Sequence, residues 1–187
     1  NILQKLNLTK NNYFVISAHR EENINNPINF KNLTDSINEI AQVYNLPIIF
    51  SAHPRTRKMI ETSSIQLNSL IQLMKPLGFI DYIKLQKNAK VVLSDSGTIS
   101  EESSILDFKA LNMRQAHERP EAMEEASVMM VGLHKDRILQ ALSILETQNE
   151  RDICLVSDYS KPNVSKKVVR IILSYIDYIN QNVWKKY

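Results

Sequence analysis

Cysteine, glycine and long apolar runs are what this 187-residue chain has least of. Its one cysteine, Cys154, excludes an internal disulfide, and a reducing, cytoplasmic setting is expected. Three glycines, Gly78, Gly97 and Gly132, cannot build a G-x-G-x-x-G loop, which excludes a nicotinamide cofactor bound in that way. The longest apolar stretches, such as Ile48-Ile49-Phe50 and Val128-Met129-Met130-Val131, are far too short to cross a bilayer, so no membrane partner is expected. A dominant charge is missing too: 23 Lys+Arg face 20 Asp+Glu in an interspersed pattern, so no nucleic-acid partner is expected at a net +3. The four histidines, at 19, 53, 117 and 134, show no ligand spacing, and neither a metal nor a cofactor is expected. The chain opens Asn1-Ile2-Leu3-Gln4 without methionine or a secretory pattern, which raises the expectation of a missing upstream part.

What is present is 43% hydrophobic residues, enough for one core, so residues 1–187 are read as a single domain. Short β-type runs are expected at Tyr13–Ser17, Pro47–Ser51, Leu70–Met74, Val91–Leu93, Ala110–Met113 and Val128–Val131. Between them lie helical patterns. Phe30, Leu33, Ile37, Ile40 and Ala41 make one apolar stripe after Pro27, and further helices are expected at Thr56–Thr62, Phe79–Asn88, Ile99–Leu106 and Arg137–Glu146. Asp152 to Asn163 reads as loop, and a long helix with an apolar stripe is expected over 164–184. Six strands separated by helix-sized segments predict an α/β fold, a Rossmann-like doubly wound parallel sheet.

In such sheets ligands bind outside the carboxyl ends of the strands. This sequence gathers its unusual polar residues there: His19-Arg20, His53, Asp95-Ser96-Gly97-Thr98 and Glu118-Arg119. Ser96, Gly97 and Thr98 lie between a strand and a helix, where amides and hydroxyls could hold a phosphate; the same residues could equally be a helix cap. Glu101 and Glu102 are about 100° apart on a helix, so at most one readily faces a ligand. Arg119 could sit over a pyrophosphate or pair with Glu118, Glu121 or Glu124. His19 and His53 could exchange a proton or donate to phosphate.

Three segments, Ser17-Ala18-His19-Arg20-Glu21-Glu22-Asn23, Ser94 to Glu102 and Glu118-Arg119-Pro120-Glu121, resemble in order and spacing the C-terminal half of non-hydrolysing UDP-N-acetylglucosamine 2-epimerases. The resemblance runs from about Tyr13 to the C-terminus. It implies the C-terminal half of a GT-B fold, whose partners are UDP and a UDP-N-acetylhexosamine. By motif, Ser96, Gly97 and Thr98 would hold the diphosphate, Glu102 the ribose hydroxyls and Arg119 the nucleotide, with Tyr82 near the uracil. His19 would be the catalytic residue at the phosphates. Arg20 and His53 match positions that bind a second, allosteric nucleotide sugar in some bacterial members.

The resemblance also implies the chemistry: UDP is eliminated to leave a 2-acetamidoglucal and then re-added after the face has changed. The acid and base groups at the sugar belong to an N-terminal GT-B domain, so this chain alone would bind nucleotide without epimerising. The missing half would come from a longer protein or a separate chain, and a homodimer is expected for the full-length enzyme. His-Arg-Glu-Glu-Asn at 19–23, and Gly97 followed by Thr98, look like the subgroup that leads to UDP-N-acetyl-L-fucosamine for surface polysaccharide. Two other readings compete. One is a non-catalytic nucleotide-sugar-binding remnant of a truncated gene; the other is a GT-B glycosyltransferase domain.

Overall fold

The computed structural model describes residues 1–63, 65–148 and 155–186. Cys154, and with it residues 152–154 of the expected loop, lies outside them. The chain divides into two units, Asn1–Val156 and Ser157–Tyr187.

In the first unit, α1 (Ile2–Lys5) precedes β1 (Phe14–Ser17), which leads through α2 (Glu21–Ile24) and α3 (Pro27–Tyr44) into β2 (Ile48–Ser51). Then come α4 (Pro54–Thr62), β3 (Ile71–Met74), α5 (Phe79–Asn88), β4 (Val91–Ser94) and α6 (Ile99–Leu106). The unit continues with β5 (Ala110–Asn112), α7 (Pro120–Glu124), β6 (Met129–Met130) and α8 (Lys135–Thr147). All six expected strands form. Two short helices, α1 and α2, were not foreseen, and α4 begins at Pro54, two residues early, because His53 supplies its cap.

The strands make one sheet in the order β3-β2-β1-β4-β5-β6, parallel throughout, with Ile16 opposite both Phe50 and Leu93. A parallel sheet must be covered on both faces, and β4, buried at all four positions, shows it. On one face Phe14, Ile16, Phe50 and Leu93 pack with Ile37 of α3, Ile60 of α4 and Ile138 of α8. On the other, Tyr13, Val15, Ile49 and Val92 pack with Leu85 of α5, Ile99 of α6 and Ile2 of α1. Each such side chain contributes about 1.5–3 kcal/mol by leaving water.

Local chemistry sets the helix ends. Asn26 caps α3 by accepting from the N–H groups of Ile28 and Asn29, at 2.9 and 3.2 Å, and Pro27 takes the first helical position. The helix stops at Asn45, whose φ of 49° is left-handed.

The second unit contains a 3-10 turn, Ser157–Ser160, and α9 (Val164–Asn182). The turn stands inside the stretch read as loop, and α9 ends two residues short of the expected 184, with Val183 as its C-cap. Lys166, Arg170, Ser174 and Asp177 share one strip of α9, and apolar residues occupy most of the remaining circumference. Among the described residues no helix is long and apolar enough to cross a membrane, and no group of three or more His, Cys, Asp or Glu is placed to hold a metal ion.

Candidate functional site

The strand order reverses between β1 and β4, and the crevice outside their carboxyl ends is where an open α/β sheet binds ligands. The loops that meet there are 18–20, 95–98 and 113–119.

Asp95 organises the first two. It is fully buried. Its oxygens accept from the backbone N–H of His19 at 3.0 and 3.1 Å, from that of Arg20 at 3.0 Å, and from Asn23 Nδ2 at 3.0 Å. The imidazole of His19, about half exposed, places Nδ1 3.4 Å from Asp95 Oδ1. Arg20 Nε donates to the Asp95 carbonyl at 3.0 Å, which fixes the guanidinium over the same loop.

The loop 96–98 is internally bonded. Ser96 N donates to Ser94 Oγ at 3.1 Å, and the Ser96 and Thr98 hydroxyls are 2.9 Å apart. Thr98 occupies the N-cap position of α6 without a side-chain cap, and its hydroxyl donates to Glu102 Oε1 at 2.7 Å. Ahead of it, Ser96 Oγ accepts from Thr98 N at 3.3 Å, so the cap-like bonding that the sequence also allowed is made by Ser96 and not by Thr98. At Gly97 an added Cβ would meet Glu118 Oε2 at 3.8 Å, an ordinary contact. Crowding within the chain therefore does not require glycine at this position.

Glu101 and Glu102 diverge as their spacing requires. Glu102 accepts from Thr98 on one oxygen and from the buried Gln86 Nε2, at 2.7 Å, on the other. Glu101 turns to the neighbouring loop and accepts from Arg119 Nε at 2.6 Å. Arg119 thus has a carboxylate partner that the sequence reading did not consider, eighteen residues back on α6. Its Nη1 also donates to the Glu118 carbonyl at 3.1 Å.

Tyr82 stands in the first turn of α5, close to Ser17 at the end of β1. Burial pushes its phenol up to about 12; the nearby Ser17 hydroxyl opposes the rise, and the Glu102 and Asp95 carboxylates add to it. Glu118 is held below the usual carboxylate range by a hydrogen bond from Arg114 Nη2, at 3.1 Å, and by the charges of Arg114, Arg20 and Arg119. Arg20 Nη2 lies 3.7 Å from Glu118 Oε1. The Arg114 side chain is almost wholly buried, and its Nε stands 3.9 Å from Glu22 on α2.

His53 stands one strand further out. It caps α4, its Nδ1 accepting from Arg55 N at 3.4 Å, and Arg55 ties that loop to α2 through Glu21 at 2.5 Å. The fold therefore gathers His19, Arg20, Tyr82, Ser96, Gly97, Thr98, Glu102 and Arg119 around the switch point, and sets His53 on the adjoining loop. Sequence reasoning considered Glu118 only as a partner for Arg119, and passed over Asp95, Asn23 and Arg114 as bonding groups. Only Asp95, directly preceding Ser96 in a strand-end motif, left a usable signal.

Comparison with known proteins follows this geometry. The family model described as UDP-N-acetylglucosamine 2-epimerase matches residues 1–173. UDP-N-acetylglucosamine 2-epimerase of Methanocaldococcus jannaschii is 36% identical over 137 residues, which is 71% of this chain and 37% of that protein. The structure of UDP-N-acetylglucosamine 2-epimerase from Rickettsia bellii superposes with a TM-score of 0.81 at 44% identity, covering 100% of this chain and 50% of that one. The crystal structure of the M. jannaschii enzyme in complex with UDP-GlcNAc and UDP gives a TM-score of 0.79 at 30% identity, over 93% of this chain and 48% of that one. The chain thus spans half or less of the length of these relatives.

Proposed function

This chain belongs to the UDP-N-acetylglucosamine 2-epimerase family, and from that premise we propose that residues 1–187 are the UDP-binding half of a UDP-N-acetylhexosamine 2-epimerase with a GT-B architecture. The observation that carries the reading is the convergence, at the β1–β4 switch point, of a strand-to-helix loop with two hydroxyls (Ser96, Thr98), a carboxylate (Glu102) and two cationic or protonatable groups (Arg119, His19).

Those groups match the parts of a uridine diphosphate. The start of α6 would offer the diphosphate the positive end of a helix, and the Ser96 and Thr98 hydroxyls, bonded to each other and to Glu102 without ligand, would turn to donate to it. Glu102, an acceptor with lone pairs left beyond its two internal partners, suits ribose hydroxyls. The Tyr82 ring offers an aromatic surface for a base. Arg119 and an imidazolium at His19 would stabilise negative charge as UDP departs, so the leaving-group half of the reaction is served by this chain.

The sugar half of the reaction needs an acid and a base at C2, and we assign these to a second GT-B domain, in a longer protein or a separate polypeptide. On this reading UDP is eliminated and re-added on the opposite face. Glu21 and Thr98, the two positions at which the motifs look like those of the fucosamine-forming subgroup, support a UDP-N-acetylhexosamine of that subgroup as the substrate. Arg20 and His53 would contact a second nucleotide sugar, and the full-length enzyme would be a homodimer in the cytoplasm.

The test is calorimetric titration of the chain with UDP beside a Glu102→Ala, Arg119→Ala double variant. Binding to the native chain that is lost in the variant, with no epimerisation by the chain alone, is the expected result. A folded native chain that ignores UDP would overturn the reading.

A further inference from the structure

A carboxylate gives up its hydration when buried, and it is stable there only if several donors replace the water. Asp95 meets that condition through the two backbone N–H groups of His19 and Arg20 and the amide of Asn23. Those three donors would suffice to hold the loop. The contact with the imidazole is of another kind, because it reaches a side chain that is about half exposed at the mouth of the crevice.

Both Asp95 oxygens accept from N–H donors, so a ring nitrogen facing them is favoured in its protonated form. That nitrogen is Nδ1, at 3.4 Å. The second ring nitrogen, Nε2, lies on the edge turned away from the buried carboxylate.

We propose that Asp95 is a positioning residue for His19: it fixes the imidazole as the Nδ1–H tautomer, leaves Nε2 for the crevice, and stabilises the imidazolium when Nε2 is protonated against a phosphate oxygen. This inference rests on the proposed role of His19 at the diphosphate. The arrangement follows the logic of other buried carboxylate–histidine pairs, in which the carboxylate orients the ring without itself taking the proton.

The substitution Asp95→Asn separates orientation from loop bonding. Its carbonyl oxygen can take the place of Oδ2, which has three N–H donors, and its NH2 then replaces Oδ1 opposite the imidazole, giving up the 3.1 Å arm of the shared His19 N–H bond while the 3.0 Å arm to Oδ2 remains. Facing a donor, Nδ1 must become the acceptor, and the proton moves to Nε2.

Nitrogen-15 NMR of the full chain, with the imidazole neutral and His19 assigned by the loss of its signals in His19→Gln, reads the tautomer directly. The native chain should show Nδ1–H and Asp95→Asn should show Nε2–H, while Asn23→Ala, which removes a donor to Asp95 without touching the ring, should keep the native form. Calorimetry should find UDP bound about tenfold more weakly by Asp95→Asn, whose Nε2–H meets the phosphate as a neutral donor where the native ring meets it as an imidazolium, the difference between a neutral and a charge-assisted hydrogen bond. A native His19 in the Nε2–H form, an unchanged tautomer in Asp95→Asn, or unchanged UDP affinity in that variant would each overturn the proposal. If Asp95→Asn does not fold, the native spectrum alone decides it. UDP failing to bind a native chain with the Nδ1–H tautomer would sink the functional reading and leave the pair standing; UDP binding with the opposite tautomer would sink only the pair.

Discussion

Replacing Glu102 tests the nucleotide site at the point where the geometry is most specific. Its two oxygens already accept from Thr98 and Gln86, both at 2.7 Å. An ionised carboxylate has about four lone-pair sites, so about two are left for ribose hydroxyls without breaking either internal bond. A hydrogen bond to a charged group contributes about 1.5–3 kcal/mol, so Glu102→Ala should weaken UDP binding by about 10- to 100-fold. The same change leaves the buried Gln86 amide without its acceptor and should cost about 1–3 kcal/mol of stability, so a urea melt must accompany the titration. Glu102→Gln keeps an oxygen for Gln86 and serves as the milder variant. The decisive comparison pairs the variant with 2′-deoxy-UDP in a cycle. If Glu102 touches the ribose, removing the hydroxyl should matter in the native chain and cost little more in Glu102→Ala. An equal loss with the deoxy ligand in both proteins would refute the assignment, whatever the variant does to overall affinity.

Other expected outcomes follow from the same structure. Phe50→Ala, at a fully buried strand position, should lower unfolding free energy by about 3–5 kcal/mol in urea, and a loss near zero would mean β2 is not in the core. Glu118, whose folded pKa is depressed by Arg114, contributes stability that is complete above the ordinary glutamate pKa of 4.5 and is lost as pH falls through its lower folded value. Carbon-13 titration of its carboxyl should therefore find a midpoint below 4.5, and a midpoint at or above that value would contradict the Arg114 contact. Tyr82→Phe should retain UDP and Tyr82→Ala should lose about 1–3 kcal/mol of binding, the worth of a stacked base; equal losses in the two would place the hydroxyl, and not the ring, at the ligand.

The strands were legible because each is a short apolar run between helix-sized segments, with β1, β2 and β4 rich in β-branched or aromatic residues, and α3 because its apolar stripe repeats over 18 residues. The helix α2 was not, since Glu21-Glu22-Asn23-Ile24 is too short for any period to show; it is held by the Asn23 side chain and, just before the helix, by the His19 and Arg20 amides, which bond to Asp95, with Asn23 also reaching the Met113 carbonyl. The site was legible at the level of loops, where hydroxyls, histidines and arginines collect after strands. Its wiring was not. Asp95 meets His19 across 76 residues and Arg119 finds Glu101 across 18, and no local spacing encodes either partner. The register of β1 against β4 creates the first pairing, and the packing of α6 beside β5 the second.

The strand order has a further consequence for synthesis. Phe14 pairs with Val91, so β1, β2 and β3 leave the ribosome well before the strand that completes the crevice. Until β4 arrives, one side of β1 presents unpaired N–H and C=O groups on an apolar ribbon, an edge open to pairing with another chain. Closing it must also meet the entropy of a long loop, which makes this pairing a slow, late event in assembly. A chain stalled before Ser94 would therefore be sticky as well as incomplete, and His19 and Arg20 would be without the carboxylate that arranges them.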